Sequence, residues 1–254
     1  MQRYAVIGSP IRHSLSPAMQ QAAFDTLGIQ ASYEAIEAAS AKPIFSQLRA
    51  AQYNGWNVTT PLKEEAVACV DRLTDAASRA NAVNVVRAEN GELVGHNTDG
   101  AGFVQAVCEL WWVGALTAPT LILGSGPAAR AIALALRDAG AERLSCWSRN
   151  KQRAIAIGPR PNEPVKLVVS ALPSGATVPA EVLALTQSVE MVFDLNYGTR
   201  RSPVENIAAP RRYNGLPLLL HQGVLSFQWW TGMSAPTEAM RSAIYASGES
   251  GPIE

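Results

Sequence analysis

In the stretch NGWNVTTPLKEEA (54–66), Lys63 stands two residues past Pro61, just after an Asn-Val-Thr-Thr run. Val and Thr favour a strand and proline suits the first helical position, so the spacing predicts a lysine in the first helical turn after a strand end. A cation there opposes the helix macrodipole, and Glu64 and Glu65 restore the balance. The helix gains nothing from Lys63. It is either an ordinary solvated lysine or an ammonium group held for another purpose.

Other polar residues gather at predicted strand ends: Ser14 and Ser16 in HSLSP, Thr59 beside Lys63, Asn84 in NAVN and Asp99 in GHNTDG. In open parallel sheets ligands lie beyond the carboxyl ends of the strands. Serine hydroxyls can pair with a carboxylate or a hydroxyl, and Asn and Asp can read a polyol. Each has a structural alternative: Ser16 before Pro17 suits a helix N-cap, and Asp99 also precedes a predicted helix.

A second constellation is LILGSGPAAR, where Gly124 and Gly126 follow an apolar strand and open a helix in the form GxGxxA, with Ala129 at the third small position. Gly124 suits the tight turn, Gly126 the close approach of a pyrophosphate, and the helix from Pro127, Ala128 onward supplies unpaired N–H groups. Ser125 lies between the glycines. A nicotinamide site of the NAD type carries an acid about 20 residues on. Here that strand end reads Ser148-Arg149-Asn150-Lys151, with no carboxylate and with cations where a 2′-phosphate would lie. The cofactor expected is NADP (as NADPH in reduction), with NAD not excluded; the alternative is a solvated basic turn.

These residues need a scaffold of alternating elements. Strand-like YAVIG, ASYEAIE and GWNVTT alternate with helical PAMQQAAFDTLG and IFSQLRAAQ. Such alternation predicts a parallel sheet covered by helices. A short helix TDAASRA, strand-like AVNVVRA and ELVG split at Glu89-Asn90-Gly91, and a helix over 100–112 follow. VGALTAP (113–119) reads as a junction. A second series, TLILG, PAARAIALALRDAG, RLSCWS, KLVVSAL and MVFDL, has nearly continuous apolar strands, which indicates burial on both faces. Residues 221–247 read as one or two helices with a break over 232–236. The tryptophan pairs at 111–112 and 229–230 suit packing or an interface.

The 254 residues suit two modest α/β domains, and 48% hydrophobic with 17% charged residues gives an ordinary globular core. Twenty-one basic residues offset twenty-one acidic ones, leaving no field to hold nucleic acid or an anionic membrane. A small-molecule partner is expected, with the chain a monomer or homodimer. No apolar run suits a signal peptide or a membrane span, so a cytoplasmic location is expected. Cys69, Cys108 and Cys146 are far apart and His13, His96 and His221 lack metal spacing, so reduced thiols and no metal are expected.

The segments YAVIGSPIRHSLSP, NVTTPLKEEA, ANAVN, GHNTDGAG, GSGPAARA and HQGVLSFQWWTG, in this order and spacing, resemble the shikimate dehydrogenase family over nearly the whole chain. The resemblance implies a two-domain α/β protein: an N-terminal substrate domain (1–101 with 221–254, through a returning C-terminal helix) and a Rossmann NADP-binding domain (102–220). It implies NADP-dependent reduction of 3-dehydroshikimate to shikimate, in chorismate and aromatic amino acid biosynthesis. Quinate or aminoshikimate dehydrogenation, a slow paralogue, or a binding or regulatory protein on this scaffold are the alternatives.

Carried over by motif, Lys63 and Asp99 are the catalytic pair. Ser14 and Ser16 hold the substrate carboxylate with Tyr197, while Thr59, Asn84 and Gln222 bind hydroxyls. Gly124, Ser125, Gly126, Pro127, Ala128, Ser148, Arg149 and Lys151 face the cofactor, and Leu195 and Gly215 flank the nicotinamide. The chain departs from the family pattern at Pro127 and Asn81, where glycine is usual, at His96, where an acid is usual, at Ser148-Arg149-Asn150, and in a short 151–164 segment.

Overall fold

The computed structural model describes residues 1–110, 113–198 and 201–246; Trp111 and Trp112, at the end of one predicted helix, lie outside them. The chain forms two compact units, one of Met1–Gly102 with the described residues from Leu219 onward, the other of Phe103–Leu218.

The first unit opens β1 (Gln2–Gly8), α1 (Ser16–Thr26), β2 (Ala31–Glu37), α2 (Ala41–Ala50) and β3 (Gly55–Val58). After β4 (Arg72–Leu73) and α3 (Asp75–Ala80) come β5 (Val85–Glu89) and β6 (Glu92–His96). The strands form one sheet in the order β2-β1-β3-β5-β6-β4. The expected all-parallel sheet is not found here: β5 runs antiparallel to both β3 and β6. The tight turn at Asn90-Gly91, where both residues have positive φ, accounts for the second of these pairings: β5 and β6 make a hairpin instead of a crossover. Period-two alternation sorts the side chains. Ala5 and Ile7 of β1 and Trp56 and Val58 of β3 meet Ile44, Phe45 and Leu48 of α2. Tyr4 faces the other way, stacking on Phe24 of α1 at 5.0 Å and meeting Trp230 at 4.9 Å.

The unit boundary falls inside two helices, α4 (Asp99–Leu110) and, after the second unit, α8 (Leu216–Thr231); α9 (Thr237–Tyr245) then closes the described chain, after a break at Gly232–Pro236. The boundary is thus not at VGALTAP. That segment is a short 3₁₀ helix, Val113–Thr117, inside the second unit.

The second unit contains β7 (Thr120–Leu123), α5 (Pro127–Asp138), β8 (Leu144–Trp147), α6 (Lys151–Ile157), β9 (Leu167–Ser170), α7 (Ala180–Leu183), β10 (Met191–Asp194) and β11 (Arg211–Tyr213). Its sheet is parallel throughout, ordered β11-β10-β9-β7-β8. Alternate residues serve opposite faces: Ile122, Val169 and Phe193 pack with Ile132 and Leu136 of α5, whereas Leu121, Val168 and Val192 pack with Val182 and Val204. Burial on both faces explains the near-continuous apolar strands. The strand order reverses beside β7, so its carboxyl end is the switch point where open α/β sheets bind ligands.

Candidate active site

Lys63 does not start a helix. The Thr60–Pro61 peptide is cis, a turn runs from Thr60 to Glu64, and only a 3₁₀ segment, Glu65–Cys69, follows. The backbone shows why: the Lys63 carbonyl accepts from Val83 N (2.9 Å), while Val67 N turns to Glu64 O. Lys63 is tied to the β5 side of the sheet and cannot carry a helical ladder. The macrodipole predicted to oppose it is absent. Its ammonium is instead 2.6 Å from Asp99 Oδ2, with the two side chains 14% and 5% exposed.

Asp99 is the first residue of α4, and its carboxylate serves the site. While Oδ2 faces Lys63, Oδ1 accepts from Asn84 Nδ2 at 2.9 Å, and the Asp99 N–H donates to Asn97 Oδ1 at 3.0 Å. Asn84 is held in one orientation. Thr98 N–H donates to its Oδ1 (2.8 Å), so its amide nitrogen faces Asp99, Thr98 Oγ1 (2.9 Å) and Gln222 Oε1 (3.4 Å). A partly buried ion pair gains little net stability, because desolvation offsets much of its Coulomb energy. What the arrangement provides is a positioned proton donor beside a fixed carboxylate and two amides that can read hydroxyls.

Ser14 and Ser16 lie at the end of the loop after β1. The start of that loop is bonded to the Lys63 turn by Ser9 N to Thr60 O (3.0 Å), and the end of β1 to the residue before that turn by Thr59 N to Ile7 O (2.9 Å). The capping alternative for Ser16 does not hold. Leu15 is the N-cap of α1, without a side-chain bond, and Ser16 is already inside the helix, with Ser16 N donating to Ser14 Oγ (3.3 Å). Ser14, Ser16, Thr59, Lys63, Asn84, Asp99 and Gln222 thus share the first unit.

Behind this set runs a buried layer that sequence reading missed. Asn57 donates to Asn84 O (3.1 Å) and to Ser226 Oγ (3.0 Å) and accepts from the Tyr33 hydroxyl (2.8 Å). Ser226 in turn donates to Gln222 O (2.8 Å), as does Thr98 Oγ1 (3.1 Å). The available signal was period two: Asn57 shares a strand face with Thr59.

Two departures from the family pattern have physical explanations. Asn81 ends α3 in the left-handed region, at φ 46°, which asparagine tolerates best after glycine. His96 is held by Thr74 Oγ1 at Nδ1 (2.7 Å) and lies 5.2 Å from the Trp229 ring, over which the Arg87 guanidinium sits at 4.8 Å. Burial, and then the Arg87 charge, push the His96 pKa below its ordinary value of 6.5. An unfolded chain therefore binds a proton here that the folded chain resists, so this contribution is present above about pH 6.5 and is lost as pH falls through the folded value. Thermal unfolding should show the parent losing more stability than His96→Gln between pH 7.5 and 5.5; equal losses would refute this account.

In the second unit Gly124 has φ 107°, which only glycine adopts freely, and a Cβ there would lie 3.0 Å from Ala171 O. Gly126 is the N-cap of α5, with open space where its side chain would be, and Pro127 follows as a first-turn proline. A phosphate fits this cradle: backbone approach is unobstructed and α5 has twelve residues of aligned dipole. Ser125 Oγ is 2.8 Å from Ser148 Oγ, which also accepts from Asn150 N (3.3 Å), joining the glycine turn to the next strand end. Asn150 caps α6, while Arg149 and Lys151 flank it, Lys151 exposed. Leu195 N donates to Ser170 O (2.8 Å), and Gly215 is pressed so closely that an added Cβ would meet Leu195 O at 2.1 Å and Tyr197 Cδ1 at 3.3 Å. Leu195, Tyr197 and Gly215 therefore form one group at the carboxyl edge of the sheet, on the second unit.

A mixed-sheet unit with a partly buried lysine–aspartate pair, joined to a parallel Rossmann-type sheet with a glycine-rich turn at its switch point, defines a two-domain α/β oxidoreductase. Residues 6–86 match the family model of the shikimate dehydrogenase substrate binding domain, and residues 215–245 that of the shikimate 5′-dehydrogenase C-terminal domain. Shikimate dehydrogenase (NADP(+)) of one strain of Thermus thermophilus is 38% identical over 264 aligned residues, covering 96% of this chain and 97% of the relative. The corresponding protein of Desulfitobacterium hafniense is 33% identical, with 96% and 98% covered. The solved shikimate 5-dehydrogenase of a second Thermus thermophilus strain, in complex with NADP(H) and shikimate, matches at a TM-score of 0.84 and 34% identity, over 97% of this chain and 100% of that one. The chain belongs to the shikimate dehydrogenase family.

Proposed function

We propose that the protein catalyses the reversible NADP-dependent reduction of 3-dehydroshikimate to shikimate. The first unit is the substrate-binding and catalytic part and the second unit the cofactor-binding part, close to the 1–101 with 221–254 and 102–220 division read from the sequence. The observation that carries this reading is the partly buried Lys63–Asp99 pair, flanked by the Asn84 and Gln222 amides. A bound reduced nicotinamide would supply the hydride. As negative charge grows on the ketone oxygen, the Lys63 ammonium stabilises it and gives it a proton, and in the oxidative direction the amine takes the proton back. Asp99 orients Lys63 and accepts from a substrate hydroxyl. Thr59, Asn84 and Gln222 read the remaining hydroxyls, and Ser14, Ser16 and Tyr197 take the carboxylate.

On the cofactor side, Gly124, Ser125, Gly126, Pro127 and Ala128 would hold the pyrophosphate. Ser148, Arg149 and Lys151 would hold the 2′-phosphate, and Leu195 and Gly215 the nicotinamide. Pro127 brings no N–H to the phosphates, so the glycine turn offers fewer donors. The basic end then carries more of the preference for NADP.

Absorbance at the reduced-nicotinamide band, with shikimate or quinate and with NADP or NAD, tests the reading. Shikimate with NADP should give the highest kcat/KM. Arg149→Ala should raise KM for NADP roughly tenfold, as expected for one charge-assisted contact, and leave NAD turnover unchanged. Preference for quinate would move the substrate assignment to quinate dehydrogenation. Absence of turnover with either alcohol and either cofactor would end the dehydrogenase reading.

A further inference from the structure

We infer that Asn196 is a positioning residue that sets the cofactor-facing backbone of the second unit; the inference rests on the proposed nicotinamide-dependent reading of that unit. Asn196 follows β10 at the carboxyl edge of the parallel sheet, the edge across which open α/β folds bind dinucleotides. Both N–H bonds of its side-chain amide are committed: one to Asp194 Oδ1 (2.8 Å), the other to Leu172 O (2.9 Å) in the loop after β9. Its main chain adds two more ties, its N–H to Asp194 Oδ1 (3.2 Å) and its carbonyl to Gly215 N (2.9 Å). One residue thus joins the loop after β9, the end of β10 and the start of α8.

Asp194 makes this a clamp rather than a chance contact. It is 6% exposed, and its second oxygen accepts from Ser202 Oγ at 2.5 Å, so the carboxylate gathers donors from the segment that carries Tyr197. Leu195 lies between the clamp residues, and its own N–H is taken by Ser170 O (2.8 Å), which fixes its backbone on both sides. Gly215 has no latitude either, since any side chain there would run into Leu195 O. The surface these residues offer at the sheet edge follows from the two bonds of the Asn196 amide. An apolar side chain at 196 would free Leu172 O and remove a donor from Asp194, and Leu195 and Gly215 would no longer be held in one arrangement. The adenosine end is tied separately, through Ser125 and Ser148, so the effect should be confined to the nicotinamide end.

The test compares the full-length parent with Asn196→Leu and Asn196→Asp. The readouts are the NADPH dissociation constant by fluorescence titration, KM for each substrate, kcat and the melting temperature. Asn196→Leu should weaken NADPH binding about tenfold and lower kcat, with a smaller rise in KM for 3-dehydroshikimate, because Tyr197 adjoins the clamp while the other proposed substrate ligands lie on the first unit. Asn196→Asp places a second carboxylate against Asp194. Two carboxylates sharing one site hold a proton more readily, although the Arg212 charge beside Asp194 opposes this in part, and the protonated form restores one of the two donors. NADPH affinity of this variant should therefore recover toward the parental value between pH 8 and 5.5, relative to the parent at each pH.

A merely structural residue would lower the melting temperature without this cofactor-selective, pH-dependent split. Unchanged NADPH affinity in both variants, a parallel rise of both KM values, or an Asn196→Asp affinity that tracks the parent across pH would overturn the inference. A parent that binds NADPH but turns over neither shikimate nor quinate would overturn the functional reading alone, and the binding comparison would still decide the role of Asn196. A parent that does not bind NADPH would overturn both.

Discussion

Lys63→Ala should lower kcat for shikimate oxidation by about a thousandfold or more, the range lost when a positioned proton donor and a charge stabiliser are removed together. The Lys63 side chain is 14% exposed and that of its partner Asp99 5%, so the pair is largely shielded and a water entering in its place would carry no positive charge. The substitution also leaves the buried Asp99 carboxylate without its cation, held by the neutral Asn84 amide, which costs stability. Lys63→Arg separates the two effects. Arginine keeps the positive charge but does not release a proton at these pH values. Its melting temperature should stay near that of the parent and shikimate should still bind, while kcat falls about a hundredfold or more. If Lys63→Arg turns over within a few-fold of the parent, Lys63 acts only as a charge, and proton transfer belongs to another group.

The catalytic candidates were legible because they fall in short motifs at strand ends, where the β-then-α alternation is plain. Gly124, Gly126 and Ala129 could be read as a dinucleotide turn because strand, spacing and helix agreed locally. The local pattern puts Lys63 near the right strand but in the wrong element. Proline and two glutamates favour a helix locally, whereas the bond from Val83 N to Lys63 O comes from a segment about twenty residues away and takes the carbonyl the helix would need. The mixed first sheet was hidden for a related reason. Alternation of elements predicts crossovers, whereas β5 pairs antiparallel with β3 and, through the hairpin at Asn90-Gly91, with β6.

The supporting layer was harder to see. Asn57, Thr98 and Ser226 lie on a strand, a loop and a helix, separated by up to 169 positions, and they meet only after α8 returns to the first unit. Nothing local marks Ser226 as different from any other helix serine. Asn196 was likewise passed over, because MVFDLNYG reads as a strand followed by a turn, and its partners Leu172 and Gly215 are contributed by other segments. Ser14 and Ser16, or Thr59 and Lys63, share short motifs, whereas Asn57, Thr98 and Ser226 share none. The second group depends on tertiary closure, which sequence period does not encode.

The second large effect is expected at Gly102, in the first turn of α4, three residues past Asp99. A Cβ at this position would lie 2.6 Å from Gln222 N, 2.8 Å from Gln222 Cα and 2.9 Å from its Cβ. These are mainly backbone atoms of α8, so no side-chain rotation relieves them. Nor can α8 slide away freely, since Ser226 is bonded to Asn57, Trp230 Nε1 to Val86 O (2.9 Å) and Gly223 O to Gln20 Nε2 (2.9 Å). Gly102→Ala must therefore part the helices that carry Asp99 and Gln222. Overpacking of this kind costs about 1–3 kcal/mol of stability, and a displacement near 1 Å in a positioned group costs about a hundredfold in rate.

Gly223→Ala is the informative comparison, because it lies on the same helix, next to Gln222, but its added Cβ would meet the terminal methyl of Met19, at 2.2 Å. A methionine tip can rotate, so the second substitution should cost less in both melting temperature and kcat/KM. If the two variants lose equal activity, the separation of Asp99 and Gln222 is not set by the backbone contact at Gly102, and general loosening of α8 is the better explanation.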